Sequence, residues 1–208
     1  MIKNIIFDIG NVIAYYNMKE AIKMFAKSEE DEKFLYDNVY QSPEWIGSAL
    51  IDSGFLSYED IATIICDRTN HVKDELITNF LVNHLKGFRI NQDIVNLIKK
   101  LKTNGYKVYI LSNTNQRAID YLSSLSDFIS IADGHVFSFE NHSLKPHVGI
   151  YKELINKYNL NPEESMFIDD VEENMKTANK LGIKGRFVLK DDYNSVISSL
   201  KEQGINID

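Results

Sequence analysis

The sequence predicts an α/β protein in which a parallel sheet lies between two layers of helices and one helical segment is inserted into the sheet's connections. Short apolar runs alternate with helical patterns along most of the 208 residues, which is typical of βαβ units. This alternation stops between residues 14 and 88, where the apolar patterns have helical spacing only. With 10 Gly and 3 Pro, the chain has no segment with the composition of a flexible linker. These observations indicate a Rossmann-like three-layer core with an inserted all-helical cap.

Four short apolar runs predict the buried strands of the sheet. Each run is too short for a helix, and runs of this kind are typical of parallel strands that are covered on both faces. They cover residues 3–7, 106–111, 165–168 and 185–189. Helical patterns separate these runs, so we expect the strands to be parallel to one another.

Amphipathic patterns between the runs predict the helices that cover the sheet. Within residues 91–104 the apolar side chains have the spacing i, i+3, i+4 and i+7, and Gly105 follows as the expected helix end. A second helix is expected to begin at Pro146 and to end before Pro162, and a third to end at Gly182.

The segment from residue 14 to residue 88 differs from the rest in pattern and in charge. It contains several helical patterns and no convincing strand, and Ser57 with Asp60 three residues later indicates a helix start. It holds 7 basic and 13 acidic residues, and thus most of the negative charge of the chain. We therefore assign residues 1–13 and 89–208 to a core domain and residues 14–88 to a helical cap domain.

The composition argues against several classes of function. The chain has 23 basic and 30 acidic residues, a net charge of −7, and no cluster of Lys or Arg, which argues against nucleic acid as a partner. No apolar run approaches the roughly 18 residues of a membrane span, so no membrane partner is expected. Cys66 is the only cysteine, which excludes a disulfide framework and a cysteine zinc site. We expect a cytoplasmic protein, and the sequence carries no signal for its oligomeric state.

Polar residues follow three of the predicted strands, at the edge where open parallel sheets bind ligands. They are Asp8, Gly10 and Asn11 after the first strand, Ser112, Asn113, Thr114 and Asn115 after the second, and Asp169 and Asp170 after the third. Lys145 stands directly before the helix start at Pro146. Carboxylates, small polar groups and a lysine suit a Mg²⁺ ion held by oxygen ligands together with a bound phosphate.

Each of these residues has a simpler structural role when it is considered alone. A single Asp at a strand end is commonly a turn residue, and the pair Asp169 and Asp170 is suited to capping a helix that begins near Val171. Ser112 is equally suited to capping, and a lone Lys145 is most simply a solvated charge. The functional interpretation is favoured because it explains all these residues together, in their order along the chain.

Four motifs in this chain resemble those of the haloacid dehalogenase-like (HAD) hydrolases. They are FDIGNV at residues 7–12, LSN at 111–113, LKP at 144–146 and FIDDVEEN at 167–174. They occur in the family's order, and the resemblance extends over the whole chain, including a helical cap inserted after the first motif. The Asp-x-Gly-Asn-Val form of the first motif is similar to that of a helical-cap phosphatase branch that includes proteins similar to glucose-1-phosphatase.

The resemblance implies a Mg²⁺-dependent phosphatase that acts on a small phosphorylated metabolite, a sugar monophosphate, through an aspartyl-phosphate. Asp8 is then the catalytic nucleophile, assisted by Lys145. The implied metal ligands are Asp8, the Gly10 carbonyl, Asp169 and Asp170. The implied phosphate-binding groups are Ser112, the Asn113 backbone and Lys145.

One position departs from the family pattern, because Gly10 stands where most phosphatases of the superfamily have a second Asp. That residue acts as general acid and base, a role worth about 10²–10⁴ in rate. Two alternatives therefore stay open. One is a catalytically weak regulatory or binding protein on this scaffold. The other is a 2-haloacid dehalogenase, although that branch uses Asp-x-Tyr-Gly-Thr and needs no metal.

The inserted helical segment is expected to select the substrate. Pro43 and Gly54 interrupt its helical patterns, so we expect residues 41–45 and 52–55 to face the substrate. The segment contains Arg68 and six lysines without a local cluster, which favours a monophosphate with a neutral remainder over a substrate with a second phosphate.

Overall fold

The fold of the protein is built around a parallel sheet. The computed structural model describes residues 1–46 and 49–207. The strands in chain order are β1 (Asn4–Phe7), β2 (Ala14–Tyr16), β3 (Phe88–Ile90), β4 (Lys107–Ser112), β5 (Gly134–Phe137), β6 (Ser165–Asp169) and β7 (Lys184–Phe187). Five of these form one sheet in the order β5-β4-β1-β6-β7, with all neighbours parallel. The first strand thus lies in the middle, and every carboxyl end lies at the same edge.

Helices connect the strands and cover the sheet. In chain order they are α1 (Met18–Phe25), α2 (Glu29–Leu35), α3 (Pro43–Ile46), α4 (Ala49–Asp52), α5 (Tyr58–Arg68), α6 (Asp74–Asn83), α7 (Gln92–Thr103), α8 (Gln116–Leu125), α9 (Phe128–Ile131), α10 (Ser138–Asn141), α11 (Val148–Tyr158), α12 (Glu172–Lys180) and α13 (Tyr193–Glu202). None of the helices in the described ranges has the length and apolarity needed to cross a membrane.

The sheet has a layer of helices on each face because successive side chains of a strand point to opposite sides. Ile5 and Phe7 of β1 belong to one buried cluster together with residues of α7, α8, α9 and α13. Ile6, between them, belongs to a second cluster formed with α11 and α12. The predicted three-layer α/β fold class is therefore confirmed.

The sequence patterns located the central strands and missed the edge strand β5. All four predicted runs are strands, with ends that differ from the prediction by one or two residues. β5 pairs with β4 alone, and its sequence GHVF contains only two buried residues. A short edge strand of this composition lacks the continuous apolar run on which the prediction depended.

The prediction that residues 14–88 contain no strand is wrong. Residues 14–16 form β2, which pairs antiparallel with β3, so that Ala14 lies opposite Ile90 and Tyr16 opposite Phe88. Each strand has only three residues and is stabilised by a partner more than 70 positions away, so no local pattern reveals it. Between these strands the described residues form helices and helical turns. We call residues 17–87 the helical insertion.

The helical insertion has its own buried core, which meets the sheet domain at α8. The cluster contains Ile22, Ile61, Ile65 and Phe80, and it includes Ala118 of α8. α5 begins with the expected capping box: the Ser57 hydroxyl accepts from the Asp60 N–H at 3.1 Å, and the Asp60 carboxylate accepts from the Ser57 N–H at 2.8 Å.

Candidate active site

Loops at the carboxyl edge of the sheet bring the predicted site residues together around β1. Asp8 follows β1, Ser112 ends β4, Asp169 ends β6, and Lys145 lies between α10 and α11. One carboxylate oxygen from each of Asp8, Asp169 and Asp170 lies within 4.8 Å of the others. Asp8 thus forms one cluster with the distant pair Asp169 and Asp170 because β1 and β6 are neighbours in the sheet.

Lys145 connects two of these carboxylates. Its Nζ lies 2.8 Å from Asp8 Oδ1 and 2.7 Å from Asp169 Oδ2, and its side chain is only 2% exposed. Burial by itself lowers the pKa of a lysine, but the charges of Asp8 and Asp169 outweigh it, so the pKa of Lys145 is raised. The two carboxylates therefore favour the charged form of Lys145 at the centre of the site.

Asp8 is oriented by two donors, yet its environment opposes ionisation. Its Oδ1 accepts from the Ile9 N–H at 2.7 Å as well as from Lys145. Burial raises the pKa of Asp8 to about 6, with the Asp169 charge adding to the rise and Lys145 and Ser112 opposing it. Three carboxylates near one buried ammonium leave an excess of negative charge, which a bound cation would neutralise.

Asp169 and Asp170 have different surroundings although they are adjacent in sequence. Asp169 is fully buried and its oxygens accept from Lys145, from the Val171 N–H at 2.8 Å, and from Asn174 Nδ2 at 2.9 and 3.0 Å. Asp170 Oδ2 accepts from Asn11 Nδ2 at 3.1 Å, with Lys190 Nζ 3.8 Å away. The Asp169 carboxylate is thus largely saturated by donors, whereas Asp170 keeps more of its acceptor capacity.

Asn113 joins the β4 loop to the Lys145 loop. Its Oδ1 accepts from the Lys145 N–H at 2.7 Å, and its Nδ2 donates to the Lys145 carbonyl at 3.0 Å. These two hydrogen bonds occupy the side-chain amide of Asn113. The family resemblance implies a phosphate contact by the backbone of Asn113, which these bonds do not use. Asn113 therefore also positions Lys145 over Asp8.

Two asparagines of the motifs were not assigned roles by the sequence. The side-chain Nδ2 of Asn174 donates to both oxygens of Asp169, and the backbone carbonyl of Asn174 accepts from the Tyr151 hydroxyl at 2.9 Å. Asn11 contacts Asp170 and has a left-handed backbone with φ of 56°, which Asn tolerates better than most residues. Asn11 lies in the motif FDIGNV and Asn174 in the motif FIDDVEEN, each a few residues after a predicted carboxylate. That position is the sequence signal from which their roles could have been predicted.

The backbone at Gly10 does not require a glycine. Its φ lies outside the left-handed region, and a Cβ atom built there meets no heavy atom within 4 Å. The absence of a second carboxylate at this position is therefore not imposed by backbone strain or by crowding.

A cavity of about 170 Å³ lies between the helical insertion and the β4 loop. Its lining residues are Tyr16, Trp45, Ile51, Asp52, Tyr58, His84, Leu85, Phe88, Asn113, Thr114, Asn115 and Ala118. Of the two segments expected to face the substrate, Trp45 and Asp52 line this cavity. Phe55 does not line it, because its side chain is 63% exposed and stacks on His142 with the ring centres 4.9 Å apart.

Asp52 is a half-buried carboxylate without a cationic partner among the described residues. Its Oδ1 accepts from Asn115 Nδ2 at 3.2 Å, and burial raises its pKa to about 6. The nearby Arg117 is paired with Glu59 instead, at 2.6 Å. The hydrogen bond from Asn115 offsets only part of the cost of burying this charge, and no described cation offsets the rest.

The comparison with known proteins identifies the family. A model of the haloacid dehalogenase-like hydrolases matches residues 2–182. The chain belongs to this family. The resemblance of the four motifs is thereby confirmed, and the chain is an enzyme of the hydrolase class.

Relatives and solved structures of this family align with most of the chain. D-ribitol-5-phosphate phosphatase from Bacteroides thetaiotaomicron is 26% identical over 201 residues, which cover 88% of this chain and 90% of that protein. A HAD-like family hydrolase from Porphyromonas gingivalis has a TM-score of 0.75 at 25% identity and covers 99% of both chains. The HAD family enzyme bt-2542 from Bacteroides thetaiotaomicron, in complex with magnesium and inorganic phosphate, shares the fold with a TM-score of 0.73 at 22% identity, over 94% of this chain and 99% of that one.

We predict that Asp52→Asn stabilises the protein, and more so at neutral than at acidic pH. A carboxyl group whose pKa is raised binds more protons in the folded than in the unfolded state, so its ionisation lowers stability as the pH rises from about 4 to about 6. The amide does not ionise, and the gain should grow by about 1–2 kcal/mol between pH 4.5 and pH 7.5. Denaturant unfolding of both proteins at the two pH values measures this gain.

The matched control is Asp67→Asn, because Asp67 is an exposed carboxylate of the same insertion whose side chain is 68% accessible. Its effect should differ by less than about 0.5 kcal/mol between the two pH values, because its ion pair with His71 is exposed to solvent. A gain for Asp52→Asn that is independent of pH, or a loss at pH 7.5, would contradict the buried-charge interpretation.

Proposed function

We propose that this chain is a Mg²⁺-dependent phosphatase that hydrolyses a small phosphorylated metabolite, a sugar monophosphate, through an aspartyl-phosphate on Asp8. The observation that carries the proposal is the buried ammonium of Lys145 between Asp8 and Asp169, beside Ser112 and the acidic cluster. A lysine held in this way offers positive charge to a phosphoryl group at the point where an oxygen nucleophile is oriented.

The acidic cluster fits a Mg²⁺ ion because its donors are hard oxygen atoms with excess negative charge. We propose Asp8, Asp170 and the Gly10 carbonyl as direct ligands. Asp169 would act mainly by orienting Lys145 and through water, since donors already occupy both of its oxygens. The ion would supply positive charge that reduces the repulsion between Asp8 and the substrate phosphate.

In the proposed reaction, Asp8 attacks phosphorus in line with the bond to the leaving oxygen. A bond forms between the Asp8 carboxylate and phosphorus while the bond to the substrate oxygen breaks, and the alkoxide takes up a proton from water as it leaves. Lys145, the Ser112 hydroxyl and the Asn113 N–H hold the phosphoryl oxygens and stabilise the charge of the transition state. Water then hydrolyses the aspartyl-phosphate, which releases inorganic phosphate and restores Asp8.

We propose that the helical insertion acts as a cap over this site. Asn115 Nδ2 donates to both Asp52 Oδ1 and the Tyr58 hydroxyl, at 3.2 and 3.0 Å. The Ser138 hydroxyl contacts the Asp52 carbonyl, and His142 Nδ1 donates to the Ser53 carbonyl at 2.6 Å. These bonds hold the insertion against the loops that follow β4 and β5, where it encloses the leaving group and limits the access of water.

Two observations favour the phosphatase over the alternatives. A dehalogenase has no use for a cluster of three carboxylates, and its anionic substrate would need a cationic partner. None of the described cavity-lining residues is positively charged: His84 is the only basic one, and burial lowers its pKa to about 3. A binding protein without chemistry has no need of the charged Asp8–Lys145 pair, which is costly to bury.

Replacement of the nucleophile tests the proposal directly. Asp8→Asn removes the carboxylate that would form the acyl-phosphate, so kcat on p-nitrophenyl phosphate should fall by at least about 10³-fold. Far-ultraviolet circular dichroism and thermal unfolding check that the fold is retained, and Asp67→Asn is the matched control. A variant that keeps more than about a tenth of the wild-type rate would refute Asp8 as the nucleophile.

Metal dependence is the second prediction. Activity should be lost with EDTA and return with Mg²⁺, whereas Ca²⁺ should support it poorly because its longer bonds and larger coordination number loosen the in-line geometry. Changes in residues that support the ligands of a metal commonly cost about 10–100-fold in affinity, so we expect Asp170→Asn, which alters a direct ligand, to raise the half-activating Mg²⁺ concentration by at least this amount. Asp169→Asn should raise it less and should lower the unfolding temperature. Hydrolysis that persists in EDTA would sink the metal assignment.

Gly10→Asp is expected to restore part of the missing acid catalysis. Nitrophenolate leaves without a proton and a sugar alkoxide does not, so the new carboxylate should raise kcat on a sugar phosphate relative to p-nitrophenyl phosphate by about tenfold or more. The position has the space and the backbone conformation for it. Gly10→Ala is the control, since it adds the Cβ without the acid. Equal rate ratios in the two variants would show that another group already donates the proton.

A further inference from the structure

The cavity between the helical insertion and the β4 loop has apolar walls and one polar corner. Tyr16, Trp45 and Phe88 contribute aromatic rings, and Asp52 and Tyr58 contribute polar groups. The same cavity is lined by Asn113, whose backbone is a proposed phosphate-binding group. A substrate with its phosphate at Asp8 would therefore extend its remaining part into this cavity.

Asn115 fixes the polar corner in one orientation. As the N-cap of α8, its Oδ1 accepts from the Ala118 N–H at 3.0 Å, so the other end of the amide must be the NH₂ group. That group donates to Asp52 Oδ1 at 3.2 Å and to the Tyr58 hydroxyl at 3.0 Å. Both donor hydrogens and one acceptor position of Asn115 are thus used, and its two partners are held side by side.

The corner consequently presents an acceptor and a donor to the cavity. Asp52 has a second oxygen, Oδ2, that Asn115 does not engage. The Tyr58 oxygen accepts from Asn115, which leaves its own O–H free to donate. Burial keeps the phenol protonated by raising its pKa. A hydroxyl group matches this pair, because it is able to donate to Asp52 and to accept from Tyr58 at the same time.

The carboxylate is unfavourable for the fold by itself. Asp52 is a half-buried carboxylate that makes no ion pair with any described residue. An asparagine would accept the bond from Asn115 without the cost of a half-buried charge. Because its charge does not stabilise the insertion, the Asp52 carboxylate is better explained by a function in the cavity.

We propose that Asp52 and Tyr58 determine substrate specificity by binding a hydroxyl group of the substrate's remainder, with Asp52 as acceptor and Tyr58 as donor. The inference rests on the proposed phosphatase function and narrows it to monophosphates of small, neutral, polyhydroxylated compounds. Tyr16, Trp45 and Phe88 cover the carbon chain or ring. A second phosphate or a carboxylate is rejected by the charge of Asp52.

The volume of the cavity limits the size of this remainder. Engineered protein cavities of about 150 Å³ hold one benzene molecule, so a cavity of about 170 Å³ has room for a remainder of about six non-hydrogen atoms or slightly more. This is most of an open-chain pentitol, whose far end would lie at the open mouth of the cavity.

The test compares two phosphates that release the same kind of alcohol. A pentitol 5-phosphate and n-pentyl phosphate both lose a primary alkoxide, and the leaving-group difference between them is the same in every variant, so the change in the ratio of their kcat/KM values between the wild type and a variant reports on recognition of the hydroxyl groups. A hydrogen bond to a charged group is worth about 1.5–3 kcal/mol, and we expect the wild-type ratio to exceed about 10. Asp52→Asn should lower this ratio at least about tenfold, and Tyr58→Phe about 3–10-fold.

Charge selectivity supplies a readout that a structural role would not change. The same pentose skeleton with a carboxylate at its far end, an aldonic acid 5-phosphate, should be cleaved more slowly than the pentitol phosphate by the wild type. Asp52→Asn should reduce that difference, because the repelling charge is gone. Asp67→Asn is the control and should leave both ratios at their wild-type values.

The possible failures are distinguishable. If the wild type does not hydrolyse p-nitrophenyl phosphate or either pentyl compound, the phosphatase function itself fails. If it hydrolyses them but Asp52→Asn leaves both ratios unchanged, the function stands and the assignment of Asp52 is overturned. Asp52→Asn protein that unfolds at a lower temperature than the wild type would also overturn it, since a structural role for the carboxylate would then be sufficient.

Discussion

The site depends on the burial of one positive charge among three negative ones. Lys145 Nζ lies within 2.8 Å of carboxylate oxygens at the ends of two neighbouring strands, β1 and β6, where burial of either acid would be costly without the ammonium. The surrounding amides follow from this requirement. Asn174 and the Val171 N–H saturate Asp169, and Asn113 holds the backbone of Lys145 from the opposite side. The hydrogen bonds that stabilise the buried ion pairs thus also hold the proposed catalytic groups in fixed positions.

A second group of polar contacts joins the insertion to the core, and Asn115 is at its centre. The same side chain caps α8, orients Asp52 and binds Tyr58. Asn115 therefore links the position of the insertion to that of the loop that follows β4. The same loop carries the phosphate-binding groups of the proposed site. In the proposed mechanism, the loop from Ser112 to Asn115 thus carries phosphate-binding groups as well as the side chain that orients Asp52 and Tyr58.

Much of the fold and the centre of the site could be predicted from the sequence because their signals are local. Each central strand is a continuous apolar run, and Asp8, Ser112 and Asp169 stand directly where such a run ends. The features that were missed depend on distant pairing. β2 and β3 have three residues each, and the Asn115–Asp52 bond joins residues 63 positions apart. The local sequence patterns around Asp52 and Asn115 give no sign that these two residues meet. The segment that was expected to face the substrate also included Phe55, which is exposed and stacks on His142.

The β2–β3 ribbon means that the chain leaves the core and returns to it at nearly the same point, with Ala14 paired to Ile90. The conformational entropy of closing the core around this junction is then almost independent of what lies between the two strands. An insertion of different length or helix number is compatible with the same sheet, the same Lys145 loop and the same acidic cluster. Residues 17–87 supply only part of the cavity wall, including Trp45, Asp52 and Tyr58, so changes within the insertion would alter the proposed selection of substrate without altering the acidic cluster.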